Sequence, residues 1–292
     1  MTNRRALWLM ILVVAAWGAS YMWMKVALVS LAPLMLLGLR FTVAFLVTGV
    51  VFHNALQRLT RHEVKVGLIL GTLLFLTFAP VLVGLQHTSA ATVGFLTSTT
   101  AIFVIVLTAL IQQTWPTPVA TATTLTMLLG LYLMLASGPL QMNGGALFCI
   151  LAAVVYAIYI LVTSHYAHQG SAGLGVSVLQ LGVAGVEGLI ASAFAGQVRL
   201  PQTPTQWGAV LALGLICSAF GFIVQTNVQH YLTAVTVGLI YSLELIFAAG
   251  FAFYFLNERL SPRQLIGATI VFASGTIAQL AQSWAQRRVR AK

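Results

Sequence analysis

The chain has 292 residues, of which 60% are hydrophobic and only 6% are charged, and its formal net charge at pH 7 is +10. Soluble domains carry about 25% charged residues, so this composition excludes a soluble domain and indicates a membrane protein. In a soluble chain such an excess of Lys and Arg would suggest a nucleic-acid partner. Here the basic residues are concentrated in connections and near the termini, where membrane topology accounts for them.

Ten long apolar runs follow one another along the chain, separated by short clusters of polar residues, Pro and Gly. A helix needs about 20 apolar residues to cross a bilayer, and clusters of this kind end helices. The sequence therefore predicts an all-α, polytopic membrane protein with ten transmembrane helices, at residues 6–28, 34–53, 65–85, 90–111, 118–137, 143–165, 173–196, 206–229, 233–256 and 263–284.

The distribution of Lys and Arg predicts how these helices are oriented. With ten spans both termini lie on one side, which then carries nine Lys and Arg residues against at most five on the other side. Because cytoplasmic connections are enriched in Lys and Arg, both termini are predicted to be cytoplasmic. The expected location is a bacterial-type cytoplasmic (inner) membrane.

An internal repeat relates the two halves of the chain. Residues 86–103 and 230–247 align without gaps with 7 identities in 18 positions, and a Thr-Val-Gly triplet is common to both. The sequence predicts two related five-helix repeats, residues 1–140 and 141–292. Because five is odd, the second repeat enters the membrane from the opposite side. Such inverted repeats recur in secondary transporters, which bind substrate near the midplane where the halves meet.

Two acids lie inside predicted spans. Glu244 is in the middle of span nine, on the same helix face as Tyr241, and the first repeat has Thr100 at the equivalent position. A carboxylate within a bilayer is costly and normally faces a bundle interior or a wet cavity. Glu244 is therefore predicted to bind substrate or to couple transport to protons, with structural hydrogen bonding between helices as the alternative. Glu187 lies among small residues in span seven, which favours a structural role.

Two basic residues and an amide are also embedded. Lys25 lies near the end of span one, from which its side chain can reach the membrane interface. Arg40 lies deeper, in span two, and is predicted to pair with carbonyl groups or with an acid. Both are candidates for a coupling or a structural charge. Gln225 in span eight could line a polar path or bridge neighbouring helices.

Aromatic residues form two pairs in corresponding spans. Trp17 and Tyr21 are four residues apart in span one, and Tyr156 and Tyr159 are three apart in span six, so each pair shares a helix face. Trp and Tyr carry a polar group that needs a partner when buried. The pairs are predicted to line a cavity suited to a flat ring or a cation, with ordinary helix packing as the alternative. The predicted substrate site consists of Trp17, Tyr21, Thr100, Tyr156, Tyr159, Gln225, Tyr241 and Glu244.

Several short motifs occur together: Trp17-Gly18 with Lys25, Leu39-Arg40-Phe41, Ser242-Leu243-Glu244, Asn257-Glu258-Arg259-Leu260-Ser261 and Gln264-Leu265-Ile266-Gly267. With them the chain resembles the ten-helix EamA-type permeases of the drug/metabolite transporter superfamily over essentially its whole length. It departs from the family pattern at Leu245, where a Pro is usual, and this change favours a straighter span nine. The resemblance implies export of small metabolites, amino acids being the nearest class, through a central cavity between the two halves.

Other classes of function find less support. The chain contains no Asp and none of the sequence motifs of metalloproteases, serine hydrolases or ATPases, so it is not expected to be an enzyme. A multidrug or cation efflux permease is the alternative to a metabolite exporter, and a channel is less favoured. No cofactor and no metal are expected. The expected partners are a small-molecule substrate and the lipid bilayer, without nucleic acid, and the chain is expected to act as a monomer.

Overall fold

The structure is a computed structural model, and it describes residues 1–87, 90–113, 118–135, 144–241, 243–256, 261–263, 265–267, 269–270, 273–274 and 277. Within these ranges the chain is helical apart from its connections, and no described residue lies in a strand. The all-α membrane fold predicted from the sequence is thus confirmed. The predicted tenth span, residues 263–284, lies largely outside the described residues.

The helices, in chain order, are α1 (Asn3–Leu28), α2 (Pro33–Val51), α3 (His53–Gln57), α4 (Arg61–His87), α5 (Ala90–Ser98), α6 (Thr100–Gln112), α7 (Pro118–Leu135), α8 (Gly144–His168), α9 (Leu174–Phe194), α10 (Pro204–Ala212), a π-helical segment (Leu213–Phe220), α11 (Gly221–Val228), α12 (Ala234–Tyr241) and α13 (Glu244–Leu256). Six helical stretches are long and apolar enough to cross a membrane: α1, α2, α4, α8, α9 and the continuous stretch Pro204–Val228.

Local sequence signals explain several helix ends. Thr2 caps α1 by accepting a hydrogen bond from the backbone N–H of Arg5. Thr203 and Gln206 form a reciprocal capping box at the start of α10. Gln113 ends α6 in the left-handed conformation, with a φ of 50°. These ends lie close to the polar clusters that separate the apolar runs in the sequence.

The predicted spans four and nine are each broken at the same relative place. Helices α5 and α12 begin at Ala90 and Ala234, and α6 and α13 begin at Thr100 and Glu244, so both pairs are related by an offset of 144 residues (234 − 90 and 244 − 100). Span nine is interrupted although Leu245 stands where the family has Pro. Since the first half breaks at the corresponding position, the break does not depend on that proline.

The helix contacts follow the same relation between the halves. Helix α12 packs on α6, and α5 packs on α13; likewise α1 packs on α13, and α8 packs on α6. The most extensive contact joins α2 to α9, one helix from each half. Glycines allow this close approach, because a Cβ at Gly188 would lie only 2.7 Å from the backbone N of Gly38.

Connections predicted to share the side of the N-terminus meet at one end of the bundle. The N-terminal amine of Met1 lies 3.3 Å from the hydroxyl of Tyr231, between α11 and α12. His230 contacts the carbonyl of Ala172, between α8 and α9, at 2.9 Å. The rings of His62 and Tyr166, at the start of α4 and near the end of α8, are 5.9 Å apart.

Candidate functional site

A cavity of about 40 Å³ lies in the centre of the helix bundle. Since one water needs about 10–15 Å³ of such space, the cavity has room for about three water molecules. Helices from both halves of the chain contribute to it. Its walls are formed by Trp17, Ser20, Tyr21, Met24, Arg40, Thr77, Phe78, Val81, Thr97, Thr100, Ala152, Ala153, Tyr156, Tyr241 and Glu244.

Glu244 is the one carboxylate among the described residues that line this cavity. It is ten residues beyond Ala234, the start of α12 (244 − 234), or about 15 Å along a helix, which is half the thickness of a bilayer core. Tyr21 of α1 lines the cavity together with Glu244, and its hydroxyl neighbours the Glu244 carboxylate. The same hydroxyl lies 2.9 Å from the hydroxyl of Thr97 on α5. Glu244 therefore has a polar neighbour on α1 and faces the cavity rather than lipid.

Arg40 is the cationic residue of the cavity and is fully buried, with 0% of its surface exposed. Its Nε donates to the Ser218 hydroxyl at 2.9 Å, and its Nη1 lies 3.7 Å from the sulfur of Met24. The guanidinium carbon lies 5.1 Å from the ring centre of Phe41 and 4.8 Å from that of Phe78. The predicted pairing with carbonyl groups or an acid is absent from the contacts of the described residues, and Nη2 has no partner among them.

Trp17 forms an aromatic wall that is tied to the π-helical segment. Its Nε1 donates to the carbonyl of Cys217 at 2.7 Å. Its ring stacks on Tyr241 with centres 5.2 Å apart and planes at 16°, and it lies 5.1 Å from the ring of Phe222. A Cβ at Gly221 would lie 2.6 Å from the indole nitrogen, so only glycine leaves room for the ring there. Such π-helical segments are frequent at functional sites.

Tyr156 joins the cavity wall to a second layer of polar residues. Its hydroxyl is hydrogen-bonded to that of Tyr241 and lies 3.5 Å from the Oε1 of Gln225. Tyr159 stacks on Tyr156 with ring centres 5.6 Å apart and donates to Gln180 at 3.0 Å. Gln225 and Tyr159 are fully buried but lie behind the cavity wall. Tyr156 and Tyr241 thus line the cavity itself, and Tyr159 and Gln225 support them from behind.

The remaining predicted residues are divided between the cavity and other places. Thr100 lines the cavity, and its hydroxyl donates to the carbonyl of Ala153 at 3.3 Å. Lys25 is exposed on α1 and is not among the lining residues. Glu187 also lies away from the cavity, where it accepts a hydrogen bond of 2.7 Å from Thr72 across the contact of α9 with α4.

Sequence reasoning did not single out Thr97, Phe78 or Ser218. Thr97 could have been found, because the repeat offset of 144 residues makes it the counterpart of Tyr241 (241 − 144). Phe78 lies two residues before Pro80, and a proline inside a helix often marks a local distortion. Nothing in the sequence distinguishes Ser218 from other serines in apolar runs.

A wider opening of about 950 Å³ lies at the end of the bundle that holds the N-terminus. It is formed by the beginnings of α4 and α12 and the ends of α6 and α8, and its polar lining includes Gln112, Ser164, His165 and His168. Across the part of the chain that the structure describes, no group of three or more His, Cys, Asp or Glu is placed to hold a metal ion.

The apolar helices, together with a central cavity lined by one Arg and one Glu among the described residues, define a multi-pass membrane protein with a candidate site in its core. The chain belongs to the EamA-like transporter family, whose profile matches residues 4–136 and again residues 143–279. It is therefore a membrane transporter and not an enzyme.

Proteins and a structure similar to this chain agree with that assignment. An uncharacterized transporter of Archaeoglobus fulgidus is 26% identical over 274 residues, covering 92% of this chain and 84% of the relative. A second uncharacterized transporter of the same organism is 25% identical over 285 residues, covering 93% and 96%. A solved crystal structure of a protein that is 15% identical superposes with a TM-score of 0.79, covering 95% of this chain and 97% of its own, and so shares the fold.

Proposed function

We propose that this transporter exports small metabolites that carry an amine, amino acids foremost, by alternating access through the central cavity. The observation that carries the proposal is the Glu244 carboxylate, which lines the central cavity together with the rings of Trp17, Tyr21, Tyr156 and Tyr241. A carboxylate beside aromatic faces is a favourable environment for an ammonium group, which gains both ionic and cation–π attraction. Glu187, by contrast, lies away from this cavity and accepts a hydrogen bond from Thr72 on α4.

The two halves support alternating access. The family profile matches twice, once in each half, and the helix breaks before Thr100 and Glu244 are related by the same offset of 144 residues. Transporters with inverted repeats often bind substrate at interrupted helices near the midplane. A cavity of about 40 Å³ is too small for a metabolite, so the halves must move for substrate to enter or leave.

The remaining assignments belong to the same proposal. The transporter lies in a bacterial-type cytoplasmic membrane with both termini in the cytoplasm, as the nine-to-five distribution of Lys and Arg favours. The two five-helix repeats, residues 1–140 and 141–292, together form one transport unit, and a single chain acts as a monomer with substrate and lipid as its partners. The wide opening at the end that holds the N-terminus then faces the cytoplasm and serves as the entrance.

A multidrug or cation efflux permease is the second candidate. The aromatic wall formed by Trp17, Tyr156 and Tyr241 favours it, because flat cationic compounds stack on such rings. Under this alternative Glu244 neutralises the cation, and no group of the cavity is needed to bind a substrate anion. The two candidates differ in whether a carboxylate on the ligand helps or hinders binding.

The experiment is substrate exchange in liposomes that contain only the purified protein, with a panel of radiolabelled amino acids and organic cations. Saturable uptake accelerated by unlabelled substrate inside the vesicles identifies a carrier, whereas uptake that rises linearly identifies a channel. Glu244→Gln keeps the shape of the side chain and removes its charge. Glu187→Gln is the matched control, since it makes the same change in an acid away from the cavity.

Each role of Glu244 gives a different result. If Glu244 binds the amine, Glu244→Gln weakens exchange at every pH, while Glu187→Gln exchanges normally. If it couples transport to protons, Glu244→Gln keeps exchange and loses accumulation driven by a pH gradient. Wild-type affinity, pH dependence and net flux in Glu244→Gln would show that the residue is structural and would remove the main support for the proposal.

A further inference from the structure

We propose that Arg40 is an anion subsite of the central cavity and binds the carboxylate of a zwitterionic substrate whose ammonium group is bound by Glu244. The inference rests on the proposed function, which places an amine at Glu244. It goes further by assigning a role to Arg40 and by deciding between amino acids and simple cations as the substrate class.

The first step is the set of contacts that Arg40 makes. They are the Ser218 hydroxyl, the Met24 sulfur and the rings of Phe41 and Phe78. All four neighbours are uncharged, and Nη2 is buried without any hydrogen-bond partner in the described part of the chain. A guanidinium presents five N–H donors in a rigid fork that matches a carboxylate. Part of that fork is therefore unused in a residue that lines the cavity.

The second step is the charge of the cavity. Among the described residues its lining holds one cation, Arg40, and one carboxylate, Glu244. Both groups line the same cavity, but no ion pair within 4.0 Å joins them among the described residues. An unpaired charge in the interior of a membrane protein is costly. A zwitterion supplies a partner to both groups at once, with its ammonium at Glu244 and its carboxylate at Arg40.

The third step is that the guanidinium is held in place before any ligand binds. The guanidinium of Arg40 packs on the rings of Phe41 and Phe78. These two rings lie 5.5 Å apart, and each lies 5.7 Å from the ring of Phe222 behind them. Ser218, on the π-helical segment, accepts the hydrogen bond from Nε. With Nε held and two ring faces packed against the guanidinium, the free Nη2 has a defined position. Preorganisation of this kind strengthens binding, because little side-chain freedom is lost.

The same geometry disfavours a substrate that is only a cation. With a plain amine at Glu244, Arg40 remains buried without a counter-ion, and its positive charge repels the ligand. A carboxylate on the substrate removes both penalties. The aromatic residues make the cavity suitable for a cation, and Arg40 makes it selective for a zwitterion.

The test compares three ligands with the same side chain in exchange by wild-type protein in liposomes: an amino acid, its methyl ester and the amine without the carboxylate. Leucine, leucine methyl ester and isoamylamine form one such series, and phenylalanine forms another with phenethylamine. We expect the amino acid to bind about 10- to 100-fold more tightly than the ester or the amine, the effect of one charge-assisted hydrogen bond. This comparison needs no variant, so it stands even if substitutions at Arg40 prevent folding.

Two substitutions then locate the effect. Arg40→Gln removes the charge and should reduce the preference for the amino acid to less than about threefold, while binding of the amine is unchanged or improved. Lys25→Gln is the matched control, because it makes the same charge change at an exposed position of α1. It should leave the preference at the wild-type value.

The outcomes separate this inference from the proposed function. If the wild-type protein exchanges amines and amino acids equally well, it is an amine transporter and the subsite is refuted. The subsite is also refuted if folded Arg40→Gln binds the amino acid and the amine more weakly by the same factor. Amine exchange that requires chloride or phosphate also overturns it, since an inorganic anion then neutralises Arg40. Exchange of neither class by the wild-type protein refutes the proposed function and the subsite together.

Discussion

Gly18 allows α1 to pack directly against the first turns of α13, beside Glu244. A Cβ added there would lie 2.7 Å from the Cβ of Phe247, 2.8 Å from the backbone N of Ala248 and 3.0 Å from the carbonyl oxygen of Glu244. Two of these three atoms belong to the backbone, so no change of rotamer can remove the overlap. The substitution Gly18→Ala therefore tests whether the close contact of α1 with α13 holds the cavity together.

The size of the effect follows from these distances. Ordinary contact begins near 3.4 Å, so α1 and α13 must separate locally by about 0.7 Å to accept the methyl group. Overpacking of this kind typically costs about 1–3 kcal/mol. For chains of comparable size, each kcal/mol lowers the midpoint of thermal unfolding by about 2–4 °C. The displaced turn carries Glu244, so exchange of an amine substrate should fall as well.

The measurement is thermal unfolding in detergent together with exchange in liposomes. Gly250→Ala is the matched control, because it makes the same change at a glycine of α13, the partner helix, where an added Cβ meets nothing within 4 Å. This control should match the wild-type protein or be slightly more stable, since Ala favours a helix. Wild-type stability and exchange in Gly18→Ala, or equal losses in both variants, would refute the account of this contact.

Three further predictions follow from particular residues. Trp17→Phe keeps an aromatic wall but removes the donor to the buried carbonyl of Cys217, so thermal unfolding should show a stability loss of about 1–3 kcal/mol with substrate affinity retained. Trp17→Ala should weaken substrate affinity as well. Normal affinity in Trp17→Ala would show that Trp17 only packs against its neighbours. Glu187→Leu should lower the midpoint of thermal unfolding, while the variant protein that is purified in folded form exchanges substrate with normal affinity. An impermeant maleimide should label a single cysteine at Arg61 only from the cytoplasm and a single cysteine at Arg199 only from outside. The reverse pattern would overturn the proposed orientation.

The sequence by itself determined the class of this protein. Apolar runs of about 20 residues with only 6% charged residues in the chain indicate helices in a bilayer, and the motifs around Arg40 and Glu244 indicated the EamA-type family. The identities between residues 86–103 and 230–247 pointed to equivalent helices, and the helices at these positions break at equivalent places. Embedded polar residues also marked Glu244 as a site candidate, because such residues are rare in lipid-facing positions.

Only the tertiary structure decided which polar residues face the cavity. Arg40 meets Ser218 across 178 residues of sequence, and Trp17 meets Cys217 across 200. The period of a helix shows that two residues share a face, but it does not show what lies opposite that face. In a soluble helix an apolar stripe marks the inner side, whereas a helix in lipid is apolar on every side and carries no such mark. Whether an embedded polar group lines the cavity, as Glu244 does, or supports its wall, as Gln225 does, depends on the neighbouring helices.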